Sequence, residues 1–313
     1  MEFGYHQSSF AFEEEPLGDA LLDRAQFVED AGFTWFSLMD HFWQLPGIGR
    51  KDEPLVECYA GLSAIAAATD SIELSGLVTC VHYRNPAYLA KLVGSLDSLS
   101  DGRAVLGIGA GWYDEEYDAI GIEFPDAAER VRQLRDVIRL CETAWYEESP
   151  VDYEGEYYTL DELYLDPKPD DVPILVGGGG EQLTLRLTAE YADRWNVPGA
   201  DPEEYEHKLA VLYDHCQNEG RDYEDIEKTI TLRTVVRDDS DGAHETYERL
   251  LEESVRGPVG REEFRGLVGT AGEVAELIET YGDLGVDTLQ VEVLRDDRES
   301  LERFVDDVMP EFS

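Results

Sequence analysis

The 313-residue chain reads as an α/β protein, a (β/α)₈ TIM barrel with insertions. Three observations predict this. Apolar runs of strand length alternate with helical stretches from end to end, and no linker or low-complexity segment divides them. Roughly eight strand–helix units can be counted, the number that closes a barrel. Two of the apolar runs end in glycine turns that lead into helical stretches: Val105–Trp112 (VLGIGAGW) and Pro173–Gly180 (PILVGGGG).

The predicted strands are Glu2–His6, Thr34–Met39, Ile72–Val81, Ala104–Ile108, Ile174–Val176, Arg194–Val197, Thr229–Val236 and Thr288–Val293. Period-3.6 patterning places helices at Asp19–Ala31, Pro54–Ala68, Pro86–Leu99, Asp126–Tyr146, Gln182–Tyr191, Pro202–Asn218 and Gly272–Leu284. Asn85-Pro86 is a helix start, with Asn85 the cap and Pro86 in the first turn. Two stretches fall outside the repeat. Val151–Asp166, acidic and tyrosine-rich, reads as an inserted hairpin, and Gly242–Gly266 as an additional helix before the last unit. One barrel domain over residues 1–313 accommodates both, with 151–166 serving as a lid, a subunit contact or surface decoration.

Charge narrows the setting. Seventy Asp and Glu face 25 Lys and Arg, a formal net charge of −45, and only five residues are lysine. Repulsion on this scale destabilises a compact chain in dilute buffer and is screened by salt. The acidity runs along the whole chain instead of forming one tail, so the expected setting is the cytoplasm of an extreme halophile. No basic stripe is present to neutralise phosphates, which argues against nucleic-acid binding. The acidic N-terminal stretch does not read as a signal peptide, and no apolar run is long enough to span a bilayer. Cys58, Cys80, Cys141 and Cys216 are scattered, which fits a reducing compartment better than disulfides or zinc.

Glycine turns after strands let backbone N–H groups approach an anion, and the following helix N-terminus adds a favourable dipole. Two of them suggest one phosphorylated cofactor held from two loops, by Gly109, Ala110, Gly111 and Trp112 on one side and Gly177, Gly178, Gly179, Gly180 and Glu181 on the other. The alternative is purely structural glycine at tight turns. Gly107–Trp112 is not a GxGxxG, and the first strand–helix unit carries no glycine fingerprint, which argues against a Rossmann fold.

Asp40-His41 lies just past the second strand, at the end where barrel active sites are built. His41, followed by Phe42 and Trp43, can act as acid, base or hydrogen-bond donor near neutral pH. The competing reading is a packed histidine with satisfied nitrogens. Asp40 joins it as a catalytic candidate or holds the loop through an Asx-type turn. Gly76, inside the third predicted strand, marks a bulge or a close approach to a ligand, with Leu77 beside it. His82 lines the cofactor site or packs in the barrel, Cys80 is buried filler, and Trp112 walls the pocket. Glu115 and Glu116 suit a helix N-terminus without further duty. Arg186 either faces a phosphate or packs its stem along its helix. Metal-ligand clusters, a GxSxG elbow and a GxxxxGK[ST] loop are all missing from the sequence.

Five segments resemble, in order, the luciferase-like monooxygenase superfamily and its coenzyme F420 (deazaflavin)-dependent oxidoreductases. They are Ser37–Phe42 (SLMDHF), Gly76–Lys91, Leu96–Trp112, Pro173–Asn196 and Gly269–Leu289. The resemblance implies a barrel with the cofactor in a cleft at the strand C-termini. It implies a non-prolyl cis peptide at Gly76–Leu77 backing the ring, glycine turns holding the phosphate tail, and a functional histidine at His41. Trp112 stands where some deazaflavin enzymes have an acidic catalytic residue, a departure from the sugar-phosphate dehydrogenases. The implied function is hydride transfer between deazaflavin and an organic small molecule, in a homodimer. FMN with oxygen is the alternative chemistry, and a non-catalytic ligand-binding barrel the alternative of another class.

Overall fold

The computed structural model describes residues 1–12, 15–254 and 266–312. The strands are β1 (Glu2–Gln7), β2 (Trp35–Leu38), β3 (Glu73–Gly76), β4 (Thr79–Cys80), β5 (Ala104–Gly109), β6 (Val151–Glu154), β7 (Thr159–Leu163), β8 (Ile174–Gly177), β9 (Arg194–Pro198), β10 (Glu227–Val236), β11 (Gly266–Gly269) and β12 (Thr288–Glu292). The helices are α1 (Leu17–Asp30), α2 (Cys58–Ala66), α3 (Pro86–Ser100), α4 (Asp114–Ile120), α5 (Ala127–Tyr146), α6 (Thr184–Tyr191), α7 (Pro202–Glu219), α8 (Ser240–Ser254), α9 (Ala271–Asp283) and α10 (Arg298–Arg303).

Eight parallel strands close on themselves in the order β12-β1-β2-β3-β5-β8-β9-β10, with β10 pairing back to β12. The expected (β/α)₈ barrel is therefore present. Helices cover the outside, and their buried faces meet the outward side chains of the strands in one continuous apolar layer. Trp35 of β2, Val105 of β5 and Leu175 of β8 form a smaller cluster with Leu77 and Val78 packed against it.

Helix starts follow the local chemistry. Asn85 Oδ1 accepts from Ala87 N at 3.0 Å with Pro86 in the first turn of α3. Asp126 caps α5, Asp201 caps α7, and Thr270 with Glu273 forms a capping box on α9.

The sequence misplaced several boundaries. The predicted Ile72–Val81 strand is two strands, β3 and β4, separated by Leu77-Val78. The cis peptide lies at Leu77–Val78, one residue beyond the expected Gly76–Leu77. The predicted helix from Pro54 starts only at Cys58, where the Glu57 carboxylate caps it through Ala60 N. Between Gly242 and Gly266, the described part is helical as far as Ser254, and residues 255–265 lie outside the described residues. Gly266 is not helical: it opens β11, which lies parallel to the last residues of β10, outside the closed ring. The hairpin in 151–166 is present as antiparallel β6–β7. Helix α4 starts where Glu115 and Glu116 suit a helix N-terminus, whereas the short helix α10 has no counterpart in the sequence reading.

One constraint shapes the barrel at the third and fourth staves. A Cβ on Gly107 of β5 would lie 2.0 Å from the carbonyl oxygen of Gly76. A Cβ on Gly109 would meet Val78 Cγ2 at 2.7 Å, and one on Gly177 of β8 would meet Val78 Cγ1 at 2.6 Å. Val78 is thus wedged between two strand ends that carry no side chains. Backbone cannot yield as a flexible side chain can, so Gly107→Ala is expected to destabilise the fold by about 3 kcal/mol or more. Gly18→Ala in α1, where nothing lies within 4 Å, should be neutral or stabilising. Urea unfolding of both variants in concentrated KCl tests the constraint, and parent-like stability of the Gly107 variant contradicts it.

Candidate functional site

At the C-terminal end of the strands, the loops after β2, β4 and β5 converge on one carboxylate. Glu116, in the first turn of α4, has no solvent exposure. Its Oε2 lies 2.7 Å from His41 Nδ1 and accepts the Tyr83 hydroxyl at 2.5 Å, while Oε1 accepts Phe42 N at 2.6 Å. Burial alone would raise the Glu116 carboxyl, but the donors His41, Tyr83 and Phe42 outweigh it and hold the group below its ordinary value. With Glu116 ionised, His41 Nδ1 is the donor. That assigns Nε2 as the nitrogen left for other chemistry, on a side chain 13% exposed. The Tyr83 hydroxyl is pushed up by burial and by its bond to Glu116, so it stays a donor.

His41 sits under an aromatic rim. Its ring meets Trp112 edge-to-face at 6.1 Å and Tyr113 at 6.4 Å. Trp112 is 62% exposed and Phe42 52% exposed, so the rim presents apolar surface to whatever enters. Lys51 covers the Trp43 ring at 4.2 Å and pairs with Glu115 at 2.9 Å, closing the outer edge.

Asp40 is buried and turned away from this arrangement. Its carboxylate takes a two-pronged ion pair from Arg84, at 2.7 and 2.8 Å, and accepts Cys80 N at 2.9 Å. The expected Asx turn is therefore not local, because its acceptor bonds reach 40 residues along the chain. Arg84 also binds Glu57, and its guanidinium lies 4.9 Å above the Tyr59 ring. Both lone-pair-bearing oxygens of Asp40 are thus committed to holding β4 against β2.

His82 points to the far side of the loop. Nδ1 lies 2.8 Å from the Tyr117 hydroxyl and Nε2 2.5 Å from Gln133 Oε1 on α5. Burial lowers its basicity, so the ring is neutral, with both nitrogens occupied. Cys80 lies 3.1 Å from the same Tyr117 hydroxyl, and burial pushes its thiol up to about 11. Gly111, at φ +75°, gives Tyr117 room to reach both, since a Cβ there would lie 2.0 Å from the hydroxyl oxygen.

The turn after β8 is oriented by its carbonyls. Gly178 O accepts Trp195 Nε1 at 2.9 Å, Gly179 O accepts Lys208 Nζ at 3.2 Å, Gly180 O accepts Leu185 N at 3.0 Å, and Glu181 O accepts His215 Nε2 at 2.8 Å. Gly178, at φ +125°, makes the reversal. With every carbonyl drawn towards α6, α7 and β9, the N–H groups of Gly179, Gly180 and Glu181 have no protein acceptor among the described residues. Successive free N–H groups at a helix start form an anion-binding concavity. Arg186 is elsewhere, paired with Glu190 and Glu219 on an exposed face of α6.

On the opposite side of the mouth the lining is polar. His6 Nδ1 bonds Ser37 Oγ at 2.9 Å, and Gln290 fits only because Gly4 has no side chain. Gln7 Oε1, Ser9 Oγ and Gln290 Nε2 are buried without a protein partner. Buried polar atoms without a protein partner call for a bound water, ion or polar molecule. An aromatic rim, orphaned polar atoms and a phosphate-ready turn together fit a planar ring with an anionic tail. Among the described residues, no group of three or more His, Cys, Asp and Glu is placed to hold a metal ion, and no helix is long and apolar enough to cross a membrane.

The structure thus brings His41, Trp112 and the first glycine turn together at one mouth, with Gly76 and Leu77 beside the Val78 wedge. The sequence missed Glu116, Tyr83 and Lys208. The readable signal for Lys208 was scarcity, as one of five lysines in so acidic a chain. None marked Glu116, which resembles its exposed neighbour Glu115.

Residues 1–265 match the family described as luciferase-like monooxygenase. An F420-dependent glucose-6-phosphate dehydrogenase of Microbacterium testaceum is 31% identical over 251 residues, 78% of this chain and 71% of that one. The coenzyme F420-dependent tetrahydromethanopterin reductase of Methanopyrus kandleri superposes with a TM-score of 0.84 at 20% identity, over 100% of this chain and 99% of that one. An F420-dependent secondary alcohol dehydrogenase, solved with an F420-acetone adduct, gives 0.82 at 22% identity over 98% of each chain. The chain is a member of the luciferase-like monooxygenase family.

Proposed function

We infer that this protein is an F420-dependent oxidoreductase that transfers a hydride between the deazaflavin and an organic substrate. The observation that carries the reading is the turn at Gly178–Glu181, whose carbonyls are all drawn away and whose N–H groups from Gly179 to Glu181 are left for an anion, while Gly178 N donates to Asn196 O at 2.9 Å. The F420-dependent relative at 31% identity supports the choice of cofactor. The same inference covers the setting: one barrel domain, working as a homodimer in the cytoplasm of a halophile, whose salt screens the net charge of −45.

Bound at the mouth, F420 would supply the hydride chemistry, and the protein supplies position, shelter and proton handling. Gly109, Ala110, Gly111 and Trp112 would flank one edge of the ring, with the Gly76–Leu77 backbone behind it. Gly179, Gly180 and Glu181 would take the phosphate, with Gly177 and Gly178 shaping the turn through their pairing with β9. His82 would act at one remove, holding Tyr117 and the first turn. Trp112 and Phe42 would exclude water from the ring face. His41 exchanges a proton through Nε2, because Nδ1 is committed to Glu116. Asp40 positions the His41 loop through Arg84 and Cys80 N without touching the ligand.

Three outcomes test this reading. In multimolar KCl, fluorescence titration should show tight binding of F420 and weak binding of FMN. The reverse preference moves the protein to flavin chemistry. His41→Ala should lower turnover by about 100-fold or more while cofactor affinity stays nearly constant, and equal losses in both would make His41 a binding or structural residue.

Glu116→Gln sets an amide N–H against one of three inward donors and should cost about 1–3 kcal/mol near neutral pH. The Glu116 carboxyl is held lower in the fold than in the unfolded chain, so the unfolded chain takes up its proton first on acidification. Its contribution is complete above the ordinary glutamate value of about 4.3 and is lost as pH falls through the lower native value. Urea unfolding of parent and variant should therefore show a stability gap at pH 7 that narrows by pH 3.5. A gap of constant size would show that Glu116 does not act as the ionised acceptor.

A further inference from the structure

One carboxylate oxygen at the mouth serves two side-chain donors. Glu116 Oε2 accepts the Tyr83 hydroxyl at 2.5 Å and lies 2.7 Å from His41 Nδ1, while Oε1 accepts Phe42 N at 2.6 Å. A carboxylate oxygen offers about two lone-pair sites, so Oε2 is fully engaged. Glu116 has no solvent exposure, and bulk water cannot take the place of either donor. Proton exchange at His41 accounts for Glu116 and leaves Tyr83 without a part.

The tyrosine is fixed from two sides, with its ring 5.0 Å from Phe42 and 5.5 Å from Tyr117. At 2.5 Å its bond to Glu116 has the length of a charge-assisted O–H donor on a carboxylate. Tyr83 and His41 therefore compete for one acceptor. A donor on a carboxylate stabilises its charge, and an unshared carboxylate favours a neighbouring cation more strongly. Without the hydroxyl, Oε2 would act on Nδ1 alone and favour the imidazolium. The other groups around His41 leave this balance to Glu116 and its donors. His6, on β1, opposes a charge on His41, but burial keeps His6 itself neutral, with Glu292 of β12 facing it. Asp40 is neutralised by Arg84, Lys51 and Glu115 neutralise each other at the outer edge, and Tyr113 presents its ring at 6.4 Å.

We propose that Tyr83 is a positioning residue for His41: by sharing Glu116 Oε2 it limits the pull of the carboxylate on Nδ1, so that Nε2 can both take up and release a proton. This rests on the proton-exchanging role given to His41 above and adds to it the group that adjusts that role. Glu116 fixes which nitrogen carries the proton, and Tyr83 sets how firmly the carboxylate acts on the ring. Tyr83 acts through Glu116 and needs no contact with a ligand.

The experiment is a pH titration by proton and nitrogen NMR of protein carrying labelled histidine, in concentrated KCl and without added ligand. The His41 signals are identified by their loss in His41→Ala. Tyr83→Phe keeps the ring and its packing and removes the hydroxyl. In that variant the His41 Nδ1–H proton should move downfield, and the imidazole should take up its second proton at a higher pH than in the parent. Both changes should vanish when Tyr83→Phe is combined with Glu116→Gln, since no carboxylate remains to transmit them. An unchanged signal and titration would make Tyr83 a packing residue. An upfield move would make the hydroxyl a support of the His41–Glu116 bond in place of a competitor, and a change that persists beside Glu116→Gln would place its action elsewhere. Each of these three results overturns the proposal. The measurement involves no F420, so a failed cofactor titration and a failed role for Tyr83 are told apart.

Discussion

The close approach of β3, β5 and β8 is the constraint on which the site depends. Gly107 lets the backbone of Gly76 press against β5, and the bare Gly109 and Gly177 let Val78 lodge between two strand ends. The chain leaving β3 cannot continue straight through that space, so it steps over and re-enters as β4, paired with the end of β5. That step puts Cys80 N within 2.9 Å of Asp40 and brings Tyr83 and Arg84 back towards β2. The converging loops that surround Glu116 are therefore a consequence of missing Cβ atoms at the strand ends. Strand glycines here serve packing first, and whatever ligand lies above them rests on a floor that packing has already fixed.

The abundance of carboxylates is put to a second use inside the protein. Asp136 takes the Tyr153 hydroxyl at 2.5 Å and the N–H groups of Tyr157 and Tyr158, which clasps the β6–β7 hairpin to α5. Glu29 accepts the N–H groups of Asp70, Ser71 and Ile72 and so ties α1 to the start of β3. Glu116 does the same for Phe42. In each case the donors outweigh the cost of burial, and the carboxyl is held below its ordinary value. Cations are scarce in this chain, and backbone N–H groups are not. Carboxylate-to-backbone clasps thus do work that Lys and Arg pairs would do in a chain of balanced charge.

This division explains what the sequence could reveal. Eight apolar runs and two glycine turns are local patterns, so the barrel and the location of its mouth were legible. The hairpin was legible as an acidic, tyrosine-rich stretch outside the strand–helix repeat, and the α3 start from Asn85-Pro86. The split of Ile72–Val81 was not, because it arises from contacts with β5 and β8 that no local pattern encodes. The same applies to Asp40, whose partners lie 40 and 44 residues away. Glu116 and Glu115 are adjacent and chemically identical, yet one is fully buried and the other pairs with Lys51 at the surface. Only the rotation of α4, set when Tyr117 packs against Cys80 and His82, distinguishes them. Strand β11 escaped notice because it lies outside the closed ring, where a four-residue run has little periodicity to show.

On the proposed reading, in which the protein works in concentrated salt, a peptide turn suits the setting. An arginine cluster attracts phosphate over distance, and that attraction is what concentrated salt removes. Peptide N–H groups act at hydrogen-bond contact, do not titrate, and keep their direction as long as their carbonyls are anchored. Here the anchors are an indole, an ammonium, an imidazole and one helical N–H, taken from α6, α7 and β9. The turn cannot rotate its N–H groups away without breaking several of these bonds together, so its donors are oriented before any anion arrives. Preorganisation of this kind lowers the ordering cost of binding, which leaves more of the contact energy available when bulk electrostatics contributes little. On the proposed reading, the acidic surface and the peptide anion site are two answers to the same saline solvent.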